Sequence, residues 1–440
     1  MSTNISSQAR LSDAAVLPLH TLDPAAPFDD LAWLDEVIGD ARVVAIGESS
    51  HYSTEFPRLR HRVLRYLVQR HGFVAGTEEN GFVQGQLVHD WINGGPGAVG
   101  TVLADGFGSL TGLWRPVRLQ LEWLREHNRT AAEPVRYYGI DLGGSNVTPL
   151  PSLDAVLGYL AEADPGYRPD PVLREIALTF AATSAFGIPA AVGGYGALEP
   201  ERKNALTAGL AGLLARLSAK RIDYTARTGA ECYQRAQRAL HAAITLDVMV
   251  RAMAQGDLET ASLSREATLA DTVEWVLGRE DRIVLGAHNG HVQRVPGAIP
   301  GTPPMTGLGV HLADRLGADY RTIGTTSGRG QVLGSGFFAG DFFEELPEPQ
   351  PGSLDALLAA SHDGPFAVNL RTLGEADRQA VRAANQHRHG TYYNELDPLV
   401  AYDALVHVPV VSAGEPDAEA LAASPPEVRE MFAKWQGSGG

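Results

Sequence analysis

The sequence holds a single cysteine, Cys232, so it cannot form an internal disulfide, and a reducing compartment is expected. Lysine is nearly missing, confined to Lys203, Lys220 and Lys434. With arginine and alanine abundant, that points to a GC-rich coding bias and not to a chemistry. Positive charge is also in deficit, since 36 Lys+Arg stand against 52 Asp+Glu for a formal net charge of −16. Nucleic acid and anionic membrane surfaces both need a positive face, so neither is expected as the main partner. No apolar stretch approaches the roughly 20 residues that span a bilayer. The opening MSTNISSQARLSDAAVLPL lacks the basic end and apolar run of a signal peptide, and a soluble, cytoplasmic protein is expected. No Gly-x-Ser-x-Gly elbow supports a serine hydrolase.

What is present is a globular composition, 44% hydrophobic and 20% charged over 440 residues, enough for a large core. Short apolar runs recur at 42–48 (RVVAIGE), 73–79, 135–144, 282–291, 320–328 and 366–370. Such continuous runs suit strands covered on both faces, with amphipathic segments between them as crossovers. The segment 54–70 is expected to be a helix, with Thr54 as its cap, Pro57 in its first turn and His71-Gly72 at its end. Between 145 and 262 only helical patterns appear, at 153–163, 171–182, 201–220 and 229–254. Residues 292–318 are Pro/Gly-rich and loop-like, and the final GSGG is a flexible end. The expected fold is α/β, a mostly parallel central sheet flanked by helices, with a helical insertion forming a cap or wall over a cleft. On this reading 1–144 is the first part of the core, 145–262 the insertion and 263–435 the second part.

Ligands of open α/β sheets bind beyond the carboxyl ends of the strands. There the sequence places Glu48 and His51, then Glu78 and Glu79, then Asp141, then His288, Asn289 and His291. Two arginines add to them. Arg60 falls within the stripe Phe56, Leu59, Val63, Leu64 and Leu67, with Arg58, Arg62 and Arg65 on the opposite side. Arg265 shares a face with Leu269, Val273 and Val276. A buried arginine needs a carboxylate or a ligand. Asp141 also suits a turn cap, His291 a brace for His288, and His61, His71, His89, His241 and His387 structural roles. Cys232 is expected to pack mid-helix.

Together these motifs resemble the erythromycin esterase family, part of a wider group that includes haem-binding and toxin domains. IGESSHYSTEF (46–56) matches its Gly-Glu-x-x-His-x-x-x-Glu signature, AGTEENGF (75–82) its second-strand glutamate, and GAHNGHV (286–292) its His-Asn-x-His signature. YYGIDL (137–142), SREATLADTVEWVL (264–277), WLREHN (123–128) and AYDALVHV (401–408) also match, in order along nearly the whole chain. The resemblance implies that Glu48 and the general base His51, with Arg60, Glu79, His288, His291 and Arg265, form the site. It also implies no metal or other cofactor. The chain departs from the family at Arg118, where an acid is usual, and at Glu266 to Asp271; both are expected near the cleft.

The residue types suggest that His51 takes a proton from water attacking an ester or lactone carbonyl, with Glu48 or Glu79 orienting its ring. His288 would donate to the oxyanion or leaving alkoxide, and Arg60 and Arg265 would hold the acids or the intermediate. Arg265, His291, Asp141 and Asn289 are the expected substrate contacts. Ser49 or Ser50 as nucleophile is the lesser reading. The substrate expected is a small molecule, an ester or macrolide-like natural product. Three rivals use the same residues: a biosynthetic enzyme for cyclisation, elimination or group transfer, a metallohydrolase built on the two three-residue spacings, and a non-catalytic ligand-binding protein.

Overall fold

Each apolar run forms a strand in the computed structural model, which describes residues 9–297 and 304–437. The first eight residues, 298–303 and the tail beyond Gly437 lie outside the described residues, and with them the expectations placed there; in the described part of the 292–318 stretch, expected to be loop-like, Leu308–Leu316 forms a helix. The strands are β1 (Leu17–Pro18), β2 (Val43–Glu48), β3 (Ala75–Gly81), β4 (Arg136–Asp141), β5 (Ile283–His288), β6 (Tyr320–Leu333), β7 (Phe343–Leu346), β8 (Phe366–Asn369), β9 (Gln386–His389), β10 (Tyr392–Glu395) and β11 (Ala404–Val411). Nine of them make one sheet in the order β1-β8-β11-β6-β2-β5-β3-β4, with β7 paired to β6. From β11 to β4 every neighbouring pair is parallel. β1, β7 and β8 join antiparallel. β9 and β10 form a separate antiparallel hairpin.

The continuous apolar character follows from position. Every residue of β2 is buried, because helices cover both faces of the sheet centre. The Glu55–His71 helix carries the chain from β2 to β3 and buries Phe56, Leu59, Arg60, Val63, Leu64 and Leu67. No strand occurs between Asp141 and Ile283; the helices between Leu150 and Ala254 pack around a core of their own that includes Leu153, Leu160, Phe180, Tyr195, Leu210 and Leu240.

Three local expectations are corrected. Thr54 is helical itself, and its hydroxyl donates to the Ala413 carbonyl at 3.0 Å instead of capping the helix. Gly72 does end that helix in the left-handed conformation. Arg62 does not face solvent: it is 1% exposed and binds Asp30 at 2.5 Å, an acid on the loop before the Trp33–Ile38 helix that the helix stripe could not reveal. Cys232 is exposed in the first turn of the Ala230–Ala254 helix, not packed mid-helix.

Candidate active site

The β-register brings the four strand ends together. Glu48 pairs directly with His288 across β2 and β5, Glu78 lies beside Gly286 of β5, and Gly81 lies beside Asp141 of β4. Two glycines let side chains cross between these strands. A Cβ at Gly286 would come within 2.3 Å of Arg60 Cδ, and one at Gly47 within 2.1 Å of Asn289 Oδ1.

His51 Nδ1 lies 2.6 Å from Glu48 Oε1, a short charge-assisted hydrogen bond. The ring must donate through Nδ1 to that carboxylate, which leaves Nε2 as the acceptor. The His51 side chain is 33% exposed, whereas Glu48 is buried. Arg60 Nη1 donates to the other Glu48 oxygen at 3.1 Å, and its Nε is 3.6 Å from Glu78. Glu78 accepts from Gln120 at 2.6 Å and from the Tyr137 hydroxyl at 3.1 Å. Burial alone would raise the Glu48 pKa, but Arg60 and then His51 hold it below the ordinary carboxylate value. Burial likewise opposes charge on His51, but the Glu48 hydrogen bond and the fields of Glu79 and Glu48 outweigh it. The His51 pKa is therefore raised above 6.5.

A second network lies across the cleft. Arg265 grips Asp141 through Nε at 2.9 Å and Nη2 at 2.6 Å, and donates to Glu79 at 2.9 Å. His291 sits between Glu79 at 3.1 Å and Glu266 at 2.9 Å. Burial works against its charge, but Glu266 and Glu79 prevail and push its pKa up to about 10. His291 is thus an imidazolium donating through both nitrogens, and its approach to Arg265 Nη1 is a contact of like charges. Burial, with the fields of His51 and His291, does the reverse to His288 and lowers its pKa to about 3. Its Nδ1 accepts from Gly290 N at 3.2 Å, so the one proton of the neutral ring is on Nε2. Its ring centroid is 5.0 Å from that of His51.

Glu48, His51, Arg60, Glu79, Asp141 and Arg265 line one small cavity of about 80 Å³. His51 also faces a second, under the β9–β10 hairpin, which His288 and His291 line with it. Asn289 departs from the expected substrate contact. It is fully buried and lines none of these cavities; its amide binds both N and O of Thr325, at 3.1 and 2.8 Å, and clamps β5 to β6. Arg118 also departs: it pairs with Asp417 and Glu419, away from the cleft, while Glu266 lies within it. Ser50 Oγ accepts from Leu333 N, and Ser49 is buried; neither hydroxyl bonds the His51 ring. Among the described residues no group of three or more His, Cys, Asp or Glu is disposed to hold a metal ion.

Three lining residues escape sequence reasoning. Tyr52 has φ 59, a left-handed conformation costing about 1–3 kcal/mol for a residue with a side chain. It is held there by stacking on Trp114 at 5.5 Å and by the bond from Gly414 N to its carbonyl at 2.8 Å. His389 and Tyr392 arrive on the hairpin, whose strands carry too few apolar residues to signal themselves.

The sequence profile of erythromycin esterases matches residues 68–411. Erythromycin esterase type II of Escherichia coli is 28% identical over 91% of this chain and 96% of its own. The type I enzyme of Escherichia coli is 27% identical over 68% of this chain and 73% of its own. A solved structure of an erythromycin esterase mutant in its open conformation superposes with a TM-score of 0.74 at 21% identity, covering 90% of this chain and 97% of that one.

Proposed function

Because the chain belongs to the erythromycin esterase family, and is to that extent an esterase-like enzyme, we propose that it hydrolyses an ester or macrolactone with His51 as general base. The observation that carries this reading is the 2.6 Å bond from His51 Nδ1 to Glu48. It fixes the tautomer and leaves a basic Nε2 free at the cavity. Water gives its proton to Nε2 as its oxygen forms a bond to the carbonyl carbon. The resulting oxyanion accepts from His288 Nε2–H, a donor that stays neutral and in place. The intermediate collapses by breaking the carbon–oxygen bond to the alkoxide, which takes the proton from the His51 imidazolium. The products are an acid and an alcohol, or one hydroxy acid from a lactone. Glu48 orients His51 and offsets its charge, and Arg60 holds Glu48. Arg265, with Glu79, Asp141 and His291, forms the opposite wall and contacts the substrate. Among the described residues no helix is long and apolar enough to cross a membrane.

The test is turnover of erythromycin and of simpler lactones in water enriched in oxygen-18. One labelled oxygen in the new carboxyl group, lost with the activity in a folded His51→Ala protein, is the expected result. Turnover without incorporation, or full turnover by His51→Ala, would overturn it.

A further inference from the structure

The hairpin carries a chain of buried imidazoles to the back of the site. His387 Nε2 stands 3.0 Å from the Thr325 carbonyl, which only accepts, so His387 carries its proton on Nε2. Its Nδ1 is then an acceptor, and both His389 Nε2 and the Tyr402 hydroxyl lie 3.3 Å from it. Asn394 Nδ2 donates to His389 Nδ1 at 2.7 Å, so the neutral His389 ring carries its proton on Nε2, toward His387. Both rings are fully buried and neutral, their pKa values lowered by burial. Every ring nitrogen in the chain has one role, set by the Thr325 carbonyl at one end and the Asn394 amide at the other.

That carbonyl is also the one Asn289 binds. Asn289 follows His288 in sequence, and His389 meets the His288 ring at 5.2 Å with the planes at 88°. The contacts close a circuit, from His288 through Asn289, Thr325, His387 and His389 back to the His288 ring. The hairpin turn has a second anchor at the neighbouring strand end, where Gly390 N donates to Ser49 O at 2.6 Å. We infer that His389 is a positioning residue. Held in one orientation by Asn394 and His387, its ring sets the plane of the His288 imidazole and aims the Nε2–H toward the reacting carbonyl. A side chain fixed by packing and by its own hydrogen bonds is what a preorganised donor requires. The Gly290 N–H favours the Nε2–H tautomer only while the ring faces it; one hydrogen bond leaves the ring free to tilt, and a tilted ring loses that bond and with it the single tautomer. The perpendicular packing of the His389 ring removes that freedom.

This inference rests on the hydrolytic reading for its kinetic arm only. The test uses the full chain labelled with nitrogen-15 at histidine, comparing wild type with His389→Ala and His389→Phe. In wild type, His288 is expected as a single Nε2–H tautomer down to about pH 4. In folded His389→Ala, a tautomer mixture should appear, with kcat at least tenfold lower and KM within twofold. Phe restores the plane without the nitrogens and should recover part of both. An unchanged single tautomer in folded His389→Ala overturns the inference whatever happens to kcat, and so does a mixture in wild type. If His389→Ala does not fold, Asn394→Ala, which frees the His389 ring, is read by the same tautomer criterion. The spectra decide the positioning even if no ester is turned over, so failure of the hydrolytic reading is seen separately.

Discussion

His51 Nδ1 stands 2.6 Å from Glu48 Oε1, while the second oxygen of that carboxylate is held 3.1 Å from Arg60. One buried acid thus faces a cation on one side and the candidate base on the other. The guanidinium keeps the carboxylate ionised; the carboxylate makes the imidazole more basic. The rate should follow that coupling. Because the base acts only when deprotonated and its pKa is raised, kcat/KM is expected to fall with acidity through a midpoint above 6.5. Glu48→Gln removes the raising charge, so the midpoint should move to lower pH while the maximum rate drops. A pH–rate profile of both proteins checks this, and an unmoved acidic limb refutes the coupling.

The parts of the site visible in the sequence are those whose local pattern is set by burial. A strand covered on both faces must be apolar, so an acid or imidazole at its end stands out; Glu48, Glu79, Asp141 and His288 were legible for that reason. Arg60 was legible because a charge in a helix stripe is costly unless paired. What stayed hidden depends on contacts distant in sequence. The Asn289 amide is satisfied by Thr325, 36 residues away, and nothing beside it marks its direction. The strand Gln386–His389 is polar yet mostly buried, because hydrogen bonds and not apolar area stabilise it. Tyr52 shows no mark of positive φ, since the stack on Trp114 that compensates it comes from another element.

His288 should behave differently from His51. It stays neutral throughout the working range, with its proton on Nε2, so its loss removes a donor and no titrating group. His288→Phe is expected to lower kcat about 10²–10³-fold, the usual cost of one oxyanion donor. The acidic limb set by His51 should persist in the residual activity. If that limb disappears with His288, then His288 and not His51 is the base, and the roles must be exchanged.

Asn289 is expected to matter for stability. Asn289→Ala leaves the buried Thr325 N–H without a partner and removes one of two donors from its C=O, which keeps His387; the unsatisfied N–H costs roughly 1–3 kcal/mol. Denaturant unfolding should show a lower midpoint with an unchanged slope. KM in the folded protein should stay within about twofold, because the amide lines no part of the cleft. A large rise in KM at unchanged stability would return Asn289 to the substrate contacts.

The two carboxylates around His291 make stability itself depend on pH. An imidazole unfolds to a pKa near 6.5 but is held at about 10 in the folded protein, by Glu266 at 2.9 Å and Glu79 at 3.1 Å. The folded state binds the proton more tightly, so this contribution is fully present below pH 6.5. It diminishes as pH rises and is lost on passing through about 10. Lysine and tyrosine also titrate near that upper limit, so the comparison must be with His291→Gln, which keeps hydrogen-bonding capacity without the charge. Urea unfolding across this range should find the variant less stable near neutrality and the gap between the two proteins closing toward pH 10. A gap that stays constant would mean that His291 is neutral when folded, and that the Arg265 contact at 3.3 Å is a hydrogen bond after all.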